Sequence, residues 1–235
     1  MSNTIAQNIE NILSKITVLA QDADRDPATI QLLAVSKTKP VCDLIQAYEA
    51  GQRHFGENYV QEGVDKISAL VHLPDIVWHF IGPIQSNKSK FIAEHFDWCQ
   101  SVDRLKIAQR LNNQRSPEQQ PLQICIQINI DNEISKAGIT PAELPTIAAQ
   151  IVQMPHLKLR GIMAIPRATS IVAEQRESFA RLAQLYQTLQ NRYPDIDTLS
   201  MGMSGDIRPA IESGSTMVRV GTGIFGHRTP APKQD

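Results

Sequence analysis

The strongest constraint on this chain is an alternation. Eight short apolar runs occur along it, and each of the first seven leads into a segment with helical spacing. The first run, residues 32–35, is continuously apolar and predicts a strand buried on both faces, with helix-like residues 41–51 after it. Strand-like 54–58 precedes helical 59–70, 77–82 precedes 86–95, and 97–102 precedes 104–114. Residues 122–130 precede 142–154, 157–165 precede a long helix at about 171–192, and 198–203 precede a short helix at 207–212. The eighth strand is 216–221, and an opening helix, 4–21, carries Ile5, Ile9, Ile12, Ile16, Val18 and Leu19 at largely helical spacing. In 235 residues such units predict an α/β fold, a single-domain (β/α)8 TIM barrel of near-minimal size. Alternation alone leaves an open doubly wound sheet as the rival. The barrel is expected over 1–228, with 229–235 a flexible tail.

Composition narrows the partners. A net charge of −1, with Lys and Arg scattered, offers no field for nucleic acid or an anionic membrane. No apolar run approaches the ~20 residues of a membrane span, and the first residues do not read as a secretory signal. Cys42, Cys99 and Cys125 are odd in number and far apart, which suits buried thiols in a reducing compartment. The expectation is a cytoplasmic globular protein, monomeric, with neither nucleic acid nor membrane as partner.

Chemistry concentrates where strands end, because α/β folds place their sites at the carboxyl ends of parallel strands. Lys37 ends the first strand. A lysine there is a candidate Schiff-base nucleophile, or else a structural lysine at the barrel mouth. Free lysine has a pKa of about 10.4, so Schiff-base chemistry needs surroundings that favour the neutral amine. Val35, Ile81 and Met201 are candidates for an apolar wall. Near the other end, Met203-Ser204-Gly205-Asp206 joins a strand to a short helix. Its backbone N–H groups, the close approach that Gly205 permits and the Ser204 hydroxyl suit a phosphate, although Ser204 or Asp206 could simply cap the helix. Val218-Arg219-Val220-Gly221-Thr222-Gly223 supplies a second glycine-and-hydroxyl loop, and loops after strands seven and eight commonly form a phosphate site in barrels.

Arg219 lies two residues before Gly221 and shares its side of the strand. If that side faces inward, the guanidinium lies below the phosphate; pairing with a carboxylate such as Glu212 is the alternative. Asn58 follows the second strand and could donate to a ligand oxygen or cap the next helix. His79, in an apolar strand, reads as a hydrogen-bonded core residue, and the six histidines show no metal-ligand spacing. Lys136, after the fifth strand, reads as part of a solvated loop or as a lid residue.

Several stretches together resemble the YggS/PROSC family of pyridoxal 5′-phosphate (PLP) binding proteins. They are Ala34-Val35-Ser36-Lys37-Thr38, His54-Phe55-Gly56-Glu57-Asn58-Tyr59-Val60-Gln61-Glu62, Ser101-Val102-Asp103, Lys136-Ala137-Gly138, Leu159-Arg160-Gly161-Ile162-Met163, Leu199-Ser200-Met201-Gly202-Met203-Ser204 and Val218-Arg219-Val220-Gly221. The most specific is Trp78-His79-Phe80-Ile81-Gly82-Pro83-Ile84-Gln85-Ser86-Asn87-Lys88, in which Pro83 stands where many relatives have an aliphatic residue. The likeness runs over 33–226. It implies a barrel like the N-terminal domain of alanine racemase and other fold-type III PLP enzymes. It also implies that Lys37 carries the PLP aldimine, that Ser204, Gly205, Gly221 and Thr222 hold the phosphate, that Arg219 faces the pyridine nitrogen, and that Asn58 and Met201 lie near the cofactor.

The family's implied role is to bind, buffer or deliver PLP, with PLP-dependent apoenzymes as recipients, and so to balance vitamin B6 and amino/keto-acid pools. The chain ends soon after the eighth strand, so the second domain of alanine racemases is not expected. An arginine at the ring nitrogen weakens the ring as an electron sink. Both points favour a carrier without efficient catalysis over a weak racemase-like enzyme. A sugar-phosphate barrel enzyme using Lys37 is the third class.

Overall fold

The computed structural model describes residues 3–133 and 135–226, so the expected tail at 229–235 lies outside the described residues. The strands are β1 (Gln31–Val35), β2 (His54–Glu57), β3 (Val77–Phe80), β4 (Trp98–Val102), β5 (Leu122–Ile128), β6 (Leu157–Ala164), β7 (Thr198–Met203) and β8 (Met217–Val220). They pair in parallel in sequence order, and β8 closes onto β1. The helices are α1 (Ile5–Asp22), α2 (Val41–Glu49), α3 (Val60–Ala69), α4 (Ser89–His95), α5 (Leu105–Gln114), α6 (Leu144–Ile151), α7 (Val172–Arg192), α8 (Ile207–Glu212) and α9 (Thr222–Phe225). This is a (β/α)8 barrel, and the open-sheet alternative does not apply.

Strand parity divides each strand between two cores. Leu32, Ala34, Phe55, Phe80, Cys99, Ile124, Ile126, Ile162 and Val218 join one large cluster between barrel and helices. The opposite parity faces the barrel axis, where Leu33, Ile81 and Met217 form a small cluster with Val35, and Trp98, Cys125 and Met163 form another with Val77. Between them the interior is polar, carrying His54, His79, Gln100, Ser200 and Arg219.

Helix α1 covers the seam where β8 meets β1. A capping box starts it: the Thr4 hydroxyl accepts from Gln7 N at 3.2 Å, and the Gln7 side chain accepts from Thr4 N at 2.9 Å. It buries Ile9, Ile16, Leu19 and Ala20, and Asn8 Nδ2 donates to Ile224 O at 2.8 Å, tying it to α9.

Several boundaries differ from the sequence reading. The loop after β3 stays irregular to Lys88 and α4 starts at Ser89 rather than 86. A 3-10 turn, Pro141–Glu143, precedes α6, where Pro145 suits the first turn. Helix α9 and a 3-10 turn at Pro27–Thr29 were not anticipated, because stretches this short carry no periodic signal. The β7–β8 register shifts between Ser200 and Met203, a bend at the end of β7. Gly202 makes this bend feasible. Its φ is +96°, and a Cβ there would lie 2.5 Å from the Ala210 Cβ.

Candidate functional site at the barrel mouth

Lys37 follows β1 in a loop pinned on both sides. Ser36 N donates to Gly56 O at 3.0 Å, and the Ser36 hydroxyl donates to Glu57 Oε1 at 2.6 Å. Lys66, from α3, donates to Ser36 O at 2.7 Å, Glu57 Oε1 at 2.7 Å and Glu62 Oε1 at 2.6 Å. Glu62 in turn accepts from Thr38 N at 2.6 Å. Thr38 has φ of +63°, a left-handed conformation that a β-branched residue rarely adopts. The Lys66 and Glu62 bonds therefore hold the backbone on either side of Lys37 in one shape. Burial pushes the Glu57 carboxyl up, opposed by Lys66 and the Ser36 hydroxyl. The sequence reading passed over this ion cluster. Its signal was the i, i+4 pair Glu62 and Lys66 on a helix beside a strand-end Glu57.

The two glycine loops lie side by side next to this lysine. The β1–β8 register sets Ala34 opposite Val220, so Gly221 stands beside Val35. A Cβ on Gly221 would sit 3.2 Å from Val35 O, and one on Gly223 would lie 3.8 Å from the Ser204 Oγ. Gly205 has open space where a side chain would be. Ser204, Gly205 and Thr222 are exposed. Ser204 does not cap α8, and the Asp206 side chain instead accepts from Met203 N, shaping the turn. With N–H groups of two short helix starts and a hydroxyl converging, these loops suit a tetrahedral anion.

Arg219 lies inward beneath those loops and is 4% exposed. Its Nη1 donates to Ser200 O and Ser200 Oγ, both at 2.8 Å, and its Nη2 donates to Ala164 O at 2.8 Å. Glu212 pairs instead with Arg176 and Arg208, so the alternative partner for Arg219 is not the one adopted. Burial pushes the Arg219 guanidinium down to about 10, against the nearby Asp206 and Cys125; it remains a cation at neutral pH.

Asn58 does not cap α3, whose cap residue is Tyr59 without a side-chain bond. Its Oδ1 is shielded from solvent and has no hydrogen-bond partner among the described residues, an acceptor left over for a ligand. The structure does not bring the Met201 side chain to the mouth. It is fully buried in the outer core layer, where parity with the inward Ser200 puts it.

His79 is fully buried and hydrogen-bonded to His54 and Gln100, a core histidine as read. Lys136 donates to Pro166 O at 3.0 Å and pairs with Glu133 at 2.7 Å. Among the described residues no cluster of His, Cys, Asp and Glu is placed to hold a metal, and no helix is long and apolar enough to cross a membrane.

The fold and this mouth define a barrel of the alanine racemase N-terminal type, and the family model "Alanine racemase, N-terminal domain" matches residues 7–229. The chain is 57% identical over 229 residues to the pyridoxal phosphate homeostasis protein of Vibrio alginolyticus, covering 96% of this chain and 98% of that one. It is 54% identical over 233 residues to the protein of the same name from Escherichia coli strain K12, covering 98% and 100%. Among solved structures, PipY of Synechococcus elongatus with PLP bound is similar at a TM-score of 0.81 and 37% identity, over 95% of this chain and 100% of that one. This chain belongs to the YggS/PROSC family of pyridoxal phosphate homeostasis proteins.

Proposed function

We propose that this protein binds PLP at the mouth of its barrel and holds it as an intracellular carrier and buffer in vitamin B6 homeostasis, without efficient catalysis. The observation that carries the reading is the juxtaposition of Lys37 with two glycine loops, Gly221 lying against Val35 of β1, above a buried arginine.

The residues fit the group. Ser204, Gly205, Gly221 and Thr222 bind the phosphate through N–H groups and hydroxyls. Lys37, on its pinned loop, would hold PLP through its aldehyde. Asn58 turns its unpartnered Oδ1 to a donor on the ligand or on a bound amine. Met201 supports the β7 wall from behind. When bound, PLP supplies an aldehyde that captures amines and a ring that withdraws electrons when its nitrogen is protonated.

Arg219 decides how far that chemistry goes. Arg219 is held by two carbonyls and a hydroxyl; facing the ring nitrogen of bound PLP, its guanidinium would disfavour a proton there and leave the ring a poor electron sink. An exposed mouth also leaves the bound group open to water, and to the amines and PLP-dependent apoenzymes that would receive it. The bacterial relatives named as homeostasis proteins support the same reading. We take the working unit to be a cytoplasmic monomer.

The test is to load the purified protein with PLP, record its visible spectrum before and after borohydride, and map the modified lysine by mass. The yellow band and the adduct are expected on Lys37 and lost in Lys37→Ala. A stable adduct on another lysine in that variant would refute the assignment. Holo-protein given single L- or D-amino acids should racemise them slowly at most, whereas turnover near the ~10 s⁻¹ typical of enzymes would overturn the carrier reading.

A further inference from the structure

The interior of a small (β/α)8 barrel is ordinarily packed with branched apolar side chains. Here five strands contribute a continuous hydrogen-bonded row instead. Arg219 Nη1 donates to the Ser200 Oγ at 2.8 Å; Ser200 Oγ and Gln100 Oε1 are 2.6 Å apart; Gln100 Nε2 and His79 Nδ1 are 3.0 Å apart; His79 Nε2 and His54 Nδ1 are 3.0 Å apart. Gln100, His79 and Ser200 are fully buried, and Trp98 stacks on His79 with centroids 5.1 Å apart. The row starts beneath the phosphate loops and ends at His54, the first residue of β2.

The direction of every bond follows from the arginine. A guanidinium only donates, so the Ser200 oxygen accepts from it, and the Ser200 hydrogen is left for Gln100. The 2.6 Å separation fits an O–H to oxygen contact rather than an N–H one. The other end of the amide lies 3.1 Å from the Met217 Sδ, a thioether that can only accept, so that end is the nitrogen. Gln100 then donates to His79 Nδ1. His79 is therefore neutral with its hydrogen on Nε2, and it donates to His54 Nδ1. Burial and the neighbouring His54 hold the His79 ring well below the usual imidazole range, which agrees with a neutral ring.

We propose that Gln100, backed by His79 and His54, is a positioning residue for Arg219: the ordered row keeps Ser200 turned as an acceptor to the guanidinium and so fixes the orientation in which Arg219 meets the ring nitrogen. This rests on the cofactor reading above. A long, rotamer-rich side chain with no carboxylate hydrogen-bonded to it among the described residues is otherwise held only by the Ser200 and Ala164 carbonyls. Loss of Gln100 frees the Ser200 hydroxyl to rotate and leaves His79 Nδ1 without its donor.

The experiment has two arms. In the first, nitrogen-15 NMR of histidine side chains in the PLP-free protein at neutral pH should find His79 as the Nε2–H tautomer with an unprotonated, hydrogen-bonded Nδ1. In Gln100→Leu the Nδ1 resonance should shift. A wild-type His79 protonated on Nδ1 would overturn the row's order, whatever the cofactor does.

In the second arm, protein loaded with PLP labelled at the ring nitrogen is compared across wild type, Gln100→Leu and Ser200→Thr. Gln100→Leu should shift the ring-nitrogen resonance and weaken PLP binding about fivefold, as for one net hydrogen bond. Ser200→Thr, which keeps the hydroxyl, should stay near wild type. An unchanged resonance and affinity in folded Gln100→Leu would overturn the positioning role. Should that variant not fold, Ser200→Ala takes its place. A wild type that fails to bind PLP defeats the cofactor reading, and the first arm still decides the row.

Discussion

Removing the Lys66 ammonium should cost far more than a surface lysine does, and the cost should depend on pH. Lys66 is 6% exposed at its side chain and Glu57 is 0% exposed, and the ammonium makes three bonds of 2.6–2.7 Å to Ser36 O, Glu57 and Glu62. Lys66→Met keeps the stem's packing but leaves a buried carboxylate facing a carbonyl without the cation between them. Breaking one side of such a buried pair costs about 3–5 kcal/mol, against about 0–1 for an exposed pair. For a domain of this size that is roughly 10 °C in Tm. Burial already raises the Glu57 carboxyl in the wild type, and without Lys66 it should rise further.

A group whose folded pKa is raised is favourable below its unfolded value and loses that advantage as pH climbs through the folded value. The loss in Lys66→Met should therefore be greatest at neutral and alkaline pH and shrink as acid neutralises Glu57. Urea unfolding at pH 7.5 and pH 5.5 measures both quantities. Adding Glu57→Leu to Lys66→Met should recover part of the loss, because apolar replacement of both partners of a buried pair is often near neutral. A loss under about 1 kcal/mol, or an equal loss at both pH values, would show that Glu57 does not carry its charge against Lys66.

Gly221→Ala should weaken PLP binding modestly and Gly221→Val strongly, with the fold intact. The first methyl already meets Val35 O at 3.2 Å, so a branched side chain must push the Gly221 loop away from β1; unchanged affinity in folded Gly221→Val would remove this loop from the site. Gly202→Ala should destabilise by about 2 kcal/mol or more, from its φ of +96° together with a Cβ contact of 2.5 Å to Ala210. Thermal melting checks it, and a wild-type Tm would mean that the β7 bend relaxes without cost.

The barrel was legible in the sequence because its strands are local and buried on both faces. Runs such as Leu32-Leu33-Ala34-Val35 read as strand without knowledge of their neighbours, and the alternation sets their order. Lys37 and the two glycine loops were legible for the same reason: a strand's carboxyl end is a position in sequence as much as in space. Boundaries at α4, α6 and α9 were not, since a polar loop, a proline or a four-residue turn leaves no periodic trace. Nor could the sequence say where polar side chains meet. Parity alone would make Ser200 or Met201 an inward residue equally well, and closure of the barrel decides for Ser200. Glu57 finds Lys66 from the next helix, and Arg219 finds Ser200 and Ala164 instead of a carboxylate. Gln100, 100 residues from Ser200 in the chain, links it to two histidines across the interior. Such partners lie on separate strands and helices, and only the closed barrel brings them within hydrogen-bonding reach and strips away the water that would otherwise satisfy them.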